Sequence, residues 1–264
     1  MVDRVQNFYL QAYLSYRGLF HWLTPFPYFS NIVLAPFLTL FNFILIGRFA
    51  SIGDVDRFGI GMVVYAIVWI YVGGVTQSFS NDRSGGTLHL LFGSPASRAS
   101  AYFARGVGHF YNGPLTAVST TLLAVLLIDL HVGDLNYLTY AVAIVVVSIG
   151  ILMISLLLGN FAALYQDWFL FSSIGYGGLL GLTGLIIPVD RLPTALEVVA
   201  NGLPITHGLK ALRGAFAGDS VASVAPDLLL ELAVAGAYAL VGLAVFTLID
   251  RAARQRGILA GGEE

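Results

Sequence analysis

The chain has 264 residues, 57% of them hydrophobic and only 11% charged, with a net charge of −2 and a mean hydropathy of +0.81. A soluble domain carries about 25% charged residues, so too few charges remain here to coat a globule, and the composition points to a multi-span integral membrane protein. The charge balance offers no basic surplus for nucleic acid, and the lack of cysteine excludes disulfides and thiolate metal sites.

Met1 to Arg17 lack the shape of a signal peptide, since polar and charged residues are scattered through them and no small-residue cleavage site follows. Val5, Phe8, Tyr9, Ala12, Tyr13, Tyr16, Leu19 and Phe20 recur at helical spacing, flanked by Arg4, Gln6, Asn7, Gln11 and Arg17. That pattern predicts an amphipathic helix lying in the membrane interface, ended by Pro25 and Pro27. Six apolar stretches follow, at about 28–47, 58–79, 102–128, 137–164, 168–188 and 228–249, each near the roughly 20 residues that cross about 30 Å of hydrocarbon. The first contains Pro36; the third carries Arg105 and His109 near its start and Pro114 within it.

Between the second and third stretches lies a polar island, residues 82–98. Asp82, Arg83 and Arg98 would each cost about 2.5–3.5 kcal/mol at mid-membrane, so the island belongs at the membrane surface, within reach of a soluble partner. A compact apolar run (Leu88, Leu90, Leu91, Phe92) sits inside it, closed by Ser94 and Pro95. A second long connection, 189–227, holds two short helical patterns, Leu192 to Ala200 and Ile205 to Phe216, separated by Asn201-Gly202-Leu203-Pro204. These read as short helices on the outer surface or re-entrant into the membrane. With the N-terminus inside, the cytoplasmic stretches hold Arg4, Arg17, Arg83, Arg98, Arg105, Arg251, Arg254 and Arg256, against Arg48, Arg57, Arg191, Lys210 and Arg213 outside. The excess places both termini and the polar island in the cytoplasm. The expected fold is therefore all-α and integral to the membrane: six transmembrane helices, an N-terminal interfacial helix, and short outer helices between spans five and six.

Enzymatic signatures are missing. There is no phosphate-binding loop, Lys210 being the single lysine; no His-Glu-x-x-His; and no Gly-x-Ser-x-Gly. The five histidines are scattered, so no metal site is expected. Asp82, Asp129, Asp167 and Asp250 fall at span ends, where a carboxylate reaches water, so no buried relay of acids is expected either. A pump built this way needs an energy source outside itself.

The island's pattern, Phe79-x-x-Asp82-Arg83-x-x-Gly86-Thr87-Leu88-x-x-Leu91-x-x-Ser94-Pro95-x-x-Arg98, resembles the cytoplasmic loop of type-2 ATP-binding-cassette (ABC) exporter permeases. The stretch Leu203-Pro204-Ile205-Thr206-His207-Gly208-Leu209-Lys210-Ala211-Leu212-Arg213-Gly214 is similar to that family's outer segment before the last span. The resemblance covers essentially the whole chain, though Ser84 and His89 stand where the family commonly has acids. It implies one transmembrane domain that pairs with a second permease, identical or paralogous, and with ABC ATPase subunits that bind the ATP and magnesium. No cofactor is implied in this chain. Asp82, Arg83, Gly85, Gly86, Thr87, Leu88, Leu91, Ser94, Pro95 and Arg98 would couple to the ATPase, with Gly85-Gly86 allowing a tight turn and Thr87 capping a short coupling helix. The implied setting is the plasma or inner membrane. The short N-terminal region and outer loops look more like drug and antibiotic exporters, with exporters of lipid-linked glycans as the alternative.

Candidate pathway residues are Phe37, Phe41 and Asn42 in the first span, Trp69 and Gln77 in the second, and His109 in the third. Aromatics with a few polar groups suit an amphiphile better than an ion. Arg105 either meets an anionic head group or snorkels to water. The small residues of the fifth span (Ser172, Ser173, Gly175, Gly177, Gly178, Gly181) read first as close helix packing. A passive channel, a membrane scaffold or an intramembrane enzyme are competing classes. The first two leave the island unexplained, and the third needs clustered His, Asp or Glu within the spans.

Overall fold

The computed structural model describes residues 25–49, 55–84, 97–128 and 134–255, together with Tyr13, Leu130 and Val132. The expected interfacial helix (1–24) and most of the polar island lie outside the described residues. Those described form helices and no strands: α1 (Pro25–Phe49), α2 (Val55–Ser84), α3 (Arg98–His109), α4 (Asn112–Ile128), α5 (Tyr137–Tyr165), α6 (Trp168–Leu182), α7 (Thr194–Asn201), α8 (Thr206–Phe216) and α9 (Val221–Gln255), with a 3-10 turn at Val189–Arg191.

Five stretches are long and apolar enough to cross a membrane: Pro25–Phe49, Asp56–Asn81, Arg98–Ile128, Tyr137–Tyr165 and Val221–Ala252. The segment expected as a span at 168–188 gives only α6, with 15 residues, about 22 Å against roughly 30 Å of hydrocarbon. Hydropathy runs unbroken to Pro188, but Gly184 turns to a left-handed φ of +83° and the apolar residues after Leu182 continue as bends. Two other boundaries move. α2 runs on to Ser84, so Asp82 and Arg83 ride on its last turn rather than in a loop. α9 starts at Val221, seven residues before the expected 228, with Pro226 in its second turn.

α2 and α5 pack against each other at the centre; α1, α4 and α6 lean on α2, and α8 and α9 on α5. Ile67, Val68 and Val75 of α2 and Ile151 and Leu156 of α5 are wholly buried, Ile67 against Gly113 of α4 and Leu156 against Gly106 of α3. The turn from α5 to α6 is set locally: Gln166 takes a left-handed φ of 57°, and the Asp167 carboxylate accepts the Leu170 N–H at 2.9 Å to cap α6.

Two prolines explain the irregularities of α1 and the α3–α4 pair. A helical proline strands the carbonyl four residues before it, and a membrane interior supplies no water to satisfy that group. Pro36 strands the Ile32 carbonyl; a π-turn, Ser30–Leu34, forms there, and the Thr116 hydroxyl donates to Ile32 O at 3.0 Å. Pro114 strands the Phe110 carbonyl; the helix breaks at Phe110–Tyr111, and the Tyr71 hydroxyl donates to Phe110 O. The third predicted span is thus two helices, beginning at Arg98 rather than residue 102.

Candidate functional site

Of the expected coupling residues, Gly85, Gly86, Thr87, Leu88, Leu91, Ser94 and Pro95 lie outside the described residues. Asp82 and Arg83 end α2, and Arg98 opens α3. Ser97 caps α3, its hydroxyl accepting the Ser100 N–H at 3.1 Å. One residue on, Arg98 Nε meets Asp250 Oδ2 of α9 at 2.5 Å, with the Asp250 side chain wholly buried and that of Arg98 43% exposed. Asp250 therefore does not open to water as its place near a span end suggested; the start of α3 closes over it.

The junction continues inward. The Tyr102 ring packs on Phe246 of α9 at 5.3 Å between centroids and edge-on to Phe79 of α2 at 6.3 Å. Gly242 makes this possible, because a Cβ there would collide with the Tyr102 hydroxyl. Asn160 of α5 donates to the Gly242 carbonyl at 2.9 Å. Arg105 is buried with its guanidinium 4.7 Å from the Phe79 ring centroid, a cation–π contact in place of the snorkelling geometry.

The six expected pathway residues separate into three places. Trp69, Gln77 and His109 share a cavity of about 210 Å³ between the starts of α1 and α6, the second half of α2, and the α3–α4 break. Phe37 instead belongs to the core, stacked on Phe41 at 6.1 Å. Asn42 opens on a shallow depression of α1 with Thr39 and Phe43. The cavity also recruits Tyr28, Asn31, Asn112, Trp168 and Tyr176, which the sequence did not single out as lining. All are the aromatic or amide types of the predicted lining, but only the proline breaks of α1 and α3–α4 turn them to one place.

The cavity is built rather than incidental. Trp69 stacks on Tyr176 at 4.6 Å with planes 17° apart, and the Tyr176 hydroxyl donates to the Trp69 carbonyl at 3.3 Å. Gly73 leaves room for that hydroxyl, since a Cβ there would strike it. The Tyr28 hydroxyl donates to Asn112 Oδ1 at 2.9 Å. Trp69 is 45% exposed at the mouth, and His109 is buried at the back. None of the described lining residues is Asp, Glu, Lys or Arg. Among the small residues of α6, Gly175 packs between Val72 and Leu158, whereas Gly177, Gly178 and Gly181 face open space. Close packing within the chain therefore explains one of these glycines and not the other three.

At the opposite end of the bundle the structure shows an acid that the sequence reading passed over. Glu231, inside α9, is wholly buried. Its carboxylate accepts the backbone N–H of Ile205 at 2.6 Å and of Gly208 at 2.9 Å. The spans thus do bury a carboxylate, but as a clamp on the start of α8. Ile205 sits at φ +94°, a conformation that costs a β-branched residue of order 1–3 kcal/mol and that places its N–H on Glu231. The Thr206 hydroxyl donates to the Ala200 carbonyl at 2.6 Å, and the Arg213 guanidinium donates to the Gly184 carbonyl at 2.9 Å. α8 is buried among α2, α5 and α9, while α7 presents Val198 and Val199 outward. The two short helices therefore part company: the first is superficial, the second inserted.

Nodulation protein J of Rhizobium leguminosarum bv. viciae is 25% identical over 115 residues, a stretch covering 43% of this chain and 43% of that protein. The sequence model of the ABC-2 type transporter family matches residues 23–217, which run from α1 through α8 and include both quoted motifs. With several helices apolar and long enough to cross a bilayer, the chain is a multi-pass membrane protein and belongs to the ABC-2 type transporter family.

Proposed function

We propose that this chain is the permease subunit of an ATP-driven exporter, with hydrolysis carried out by a separate ATPase. The observation that carries the reading is the family match across residues 23–217, which takes in the 82–98 segment. The reading is supported by the way that segment's trailing end is built into the bundle at Arg98–Asp250. In this reading the loop and both termini face the cytoplasm, as the arginine excess favours. The ATPase docks on the loop, a second permease completes the transporter, and ATP and magnesium stay with the ATPase.

The cavity lined by Trp69, Gln77, His109 and Tyr176 then lies in the cytoplasmic half and loads the polar end of an amphiphile. Its volume of about 210 Å³ is below the roughly 300–1,000 Å³ of drug-sized sites, so it holds one ring and leaves an apolar tail outside. A drug or antibiotic of amphiphilic character fits this description. A sugar head on a lipid is the second reading, favoured by one observation: amides and aromatic faces line the site, with no acid among the described lining residues to attract a cation.

The test is reconstitution with the partner ATPase in vesicles. ATP-dependent export is expected, with Leu91→Asp uncoupling it; flux that ignores ATP would mean a passive channel. Trp69→Ala and Gln77→Ala are expected to reduce stimulation of ATP turnover by the true substrate class, measured with a hydrophobic drug panel against lipid-linked oligosaccharide. The native chain has no cysteine, so a cysteine introduced at Gly86 reports sidedness directly. Labelling it from outside intact cells would overturn the assignment of the loop.

A further inference from the structure

The exporter reading names where the stroke enters but not how it crosses the membrane. Three side chains answer this together. At the loop end, Arg98 is the first residue of α3, and it grips the buried Asp250 of α9 at 2.5 Å. At the far end, Glu231 of the same helix holds the start of α8 through the Ile205 and Gly208 amides at 2.6 and 2.9 Å. Between the two carboxylates α9 is helical throughout, and Pro226, its one proline, lies before Glu231. The rise of an α-helix puts the two grips about 28 Å apart, close to the roughly 30 Å thickness of the hydrocarbon.

Along its length α9 packs chiefly on α5 and turns its other faces outward. Only 17% of its most apolar window is buried, against 72% for α2. A rod that moves as a unit needs firm attachments at its ends and an unbroken helix between them. α9 has both, with one further tie at Gly242, whose carbonyl accepts from Asn160 at 2.9 Å, and its inner attachment is reinforced by Tyr102 on Phe246 at 5.3 Å.

We propose that Arg98, Asp250 and Glu231 are positioning residues that make α9 a transmission rod, carrying displacement of the loop's trailing end to the inserted helix α8 at the far side. The mechanical link is independent of what drives it; its use in a transport cycle rests on the exporter reading. α8 is the element such a rod would move. It is buried among α2, α5 and α9 and starts at a backbone conformation, Ile205 at φ +94°, that is unfavourable without the clamp.

The link is tested first without any ATPase, on the full chain in lipid nanodiscs, by amide hydrogen exchange over residues 203–209. Arg98→Gln is expected to speed exchange of the Ile205 and Gly208 amides about two- to thirtyfold, the range of coupling energies carried by packed networks. The exchanged pair Arg98→Asp with Asp250→Arg is expected to bring it back toward the native rate, and Arg98→Lys to change it little. Unaltered exchange at Ile205 and Gly208 in Arg98→Gln, with accelerated exchange in α3 alone, would overturn the rod. So would equal acceleration in the single and the exchanged variant, because that pattern means general loosening rather than a specific grip.

The second arm uses the complex with its ATPase. Glu231→Gln, at the end remote from the ATPase, is expected to leave ATP turnover standing while export per ATP falls several-fold; turnover and export falling in equal proportion would overturn the rod. An ATPase that never associates would remove the exporter reading and leave the exchange result to decide the rod on its own.

Discussion

α2 and α9 are both long apolar helices, yet they are held in opposite ways. α2 is enclosed over most of its surface, with Val63, Ile67, Val68, Tyr71 and Val75 wholly buried. α9 lies at the edge of the bundle, with Leu229, Leu240, Val241 and Leu248 exposed, and it is fixed by polar contacts at its two ends and at Gly242. In lipid, apolar surface gains nothing by leaving its surroundings for a neighbouring helix, so shape and hydrogen bonds decide helix association. α2 is the case of shape and α9 the case of polar grips.

The contrast is open to mutation, and the largest expected effect falls on α9. Glu231→Ala strands two amides that now bond a carboxylate, each bond worth about 1.5–3 kcal/mol. A loss of about 3–6 kcal/mol is expected, read as a lower unfolding midpoint in detergent. Next comes Ile67→Ala on α2, expected to cost about 2–5 kcal/mol because it empties a closed site. Leu240→Ala on α9, where the side chain is 72% exposed, is expected to stay within about 0.5 kcal/mol. If the two alanine variants lose equal stability, α9 is held by shape after all.

Glycines sharpen the same distinction at smaller scale. A Cβ at Gly61 of α2 would run into the Leu185 carbonyl, whereas one at Gly236 of α9 meets nothing. Gly61→Val is expected to destabilise by about 1–3 kcal/mol through overpacking, and Gly236→Val to leave the unfolding midpoint where it is. Tyr71→Phe, which removes the hydroxyl on the Phe110 carbonyl, should cost about 1–2 kcal/mol. Faster amide exchange would be confined to the α3–α4 break.

Much of the architecture was legible in one dimension. The apolar runs that became α1, α2, α5 and α9 announce themselves by length, and the quoted motifs identified the family. Misplaced boundaries have local causes: hydropathy registers neither the left-handed turn at Gly184 nor the continuation of α2 through charged Asp82 and Arg83. At the candidate cavity, Trp69, Gln77 and His109 were found because polar and aromatic residues stand out in an apolar run. Asn112 and Trp168 were missed because they sit at helix starts, where polar caps and interfacial aromatics are ordinary.

What the sequence alone determined is therefore the class, the apolar runs behind α1, α2, α5 and α9, and the family, since each depends on composition, run length or a contiguous motif. What only the tertiary structure decided is every pairing across the chain: Pro36 with Thr116, Pro114 with Tyr71, Asp250 with Arg98, and Glu231 with Ile205. In a dry interior each stranded carbonyl or buried charge must find a partner. Which partner it finds depends on how the helices lie side by side, and no local pattern encodes that.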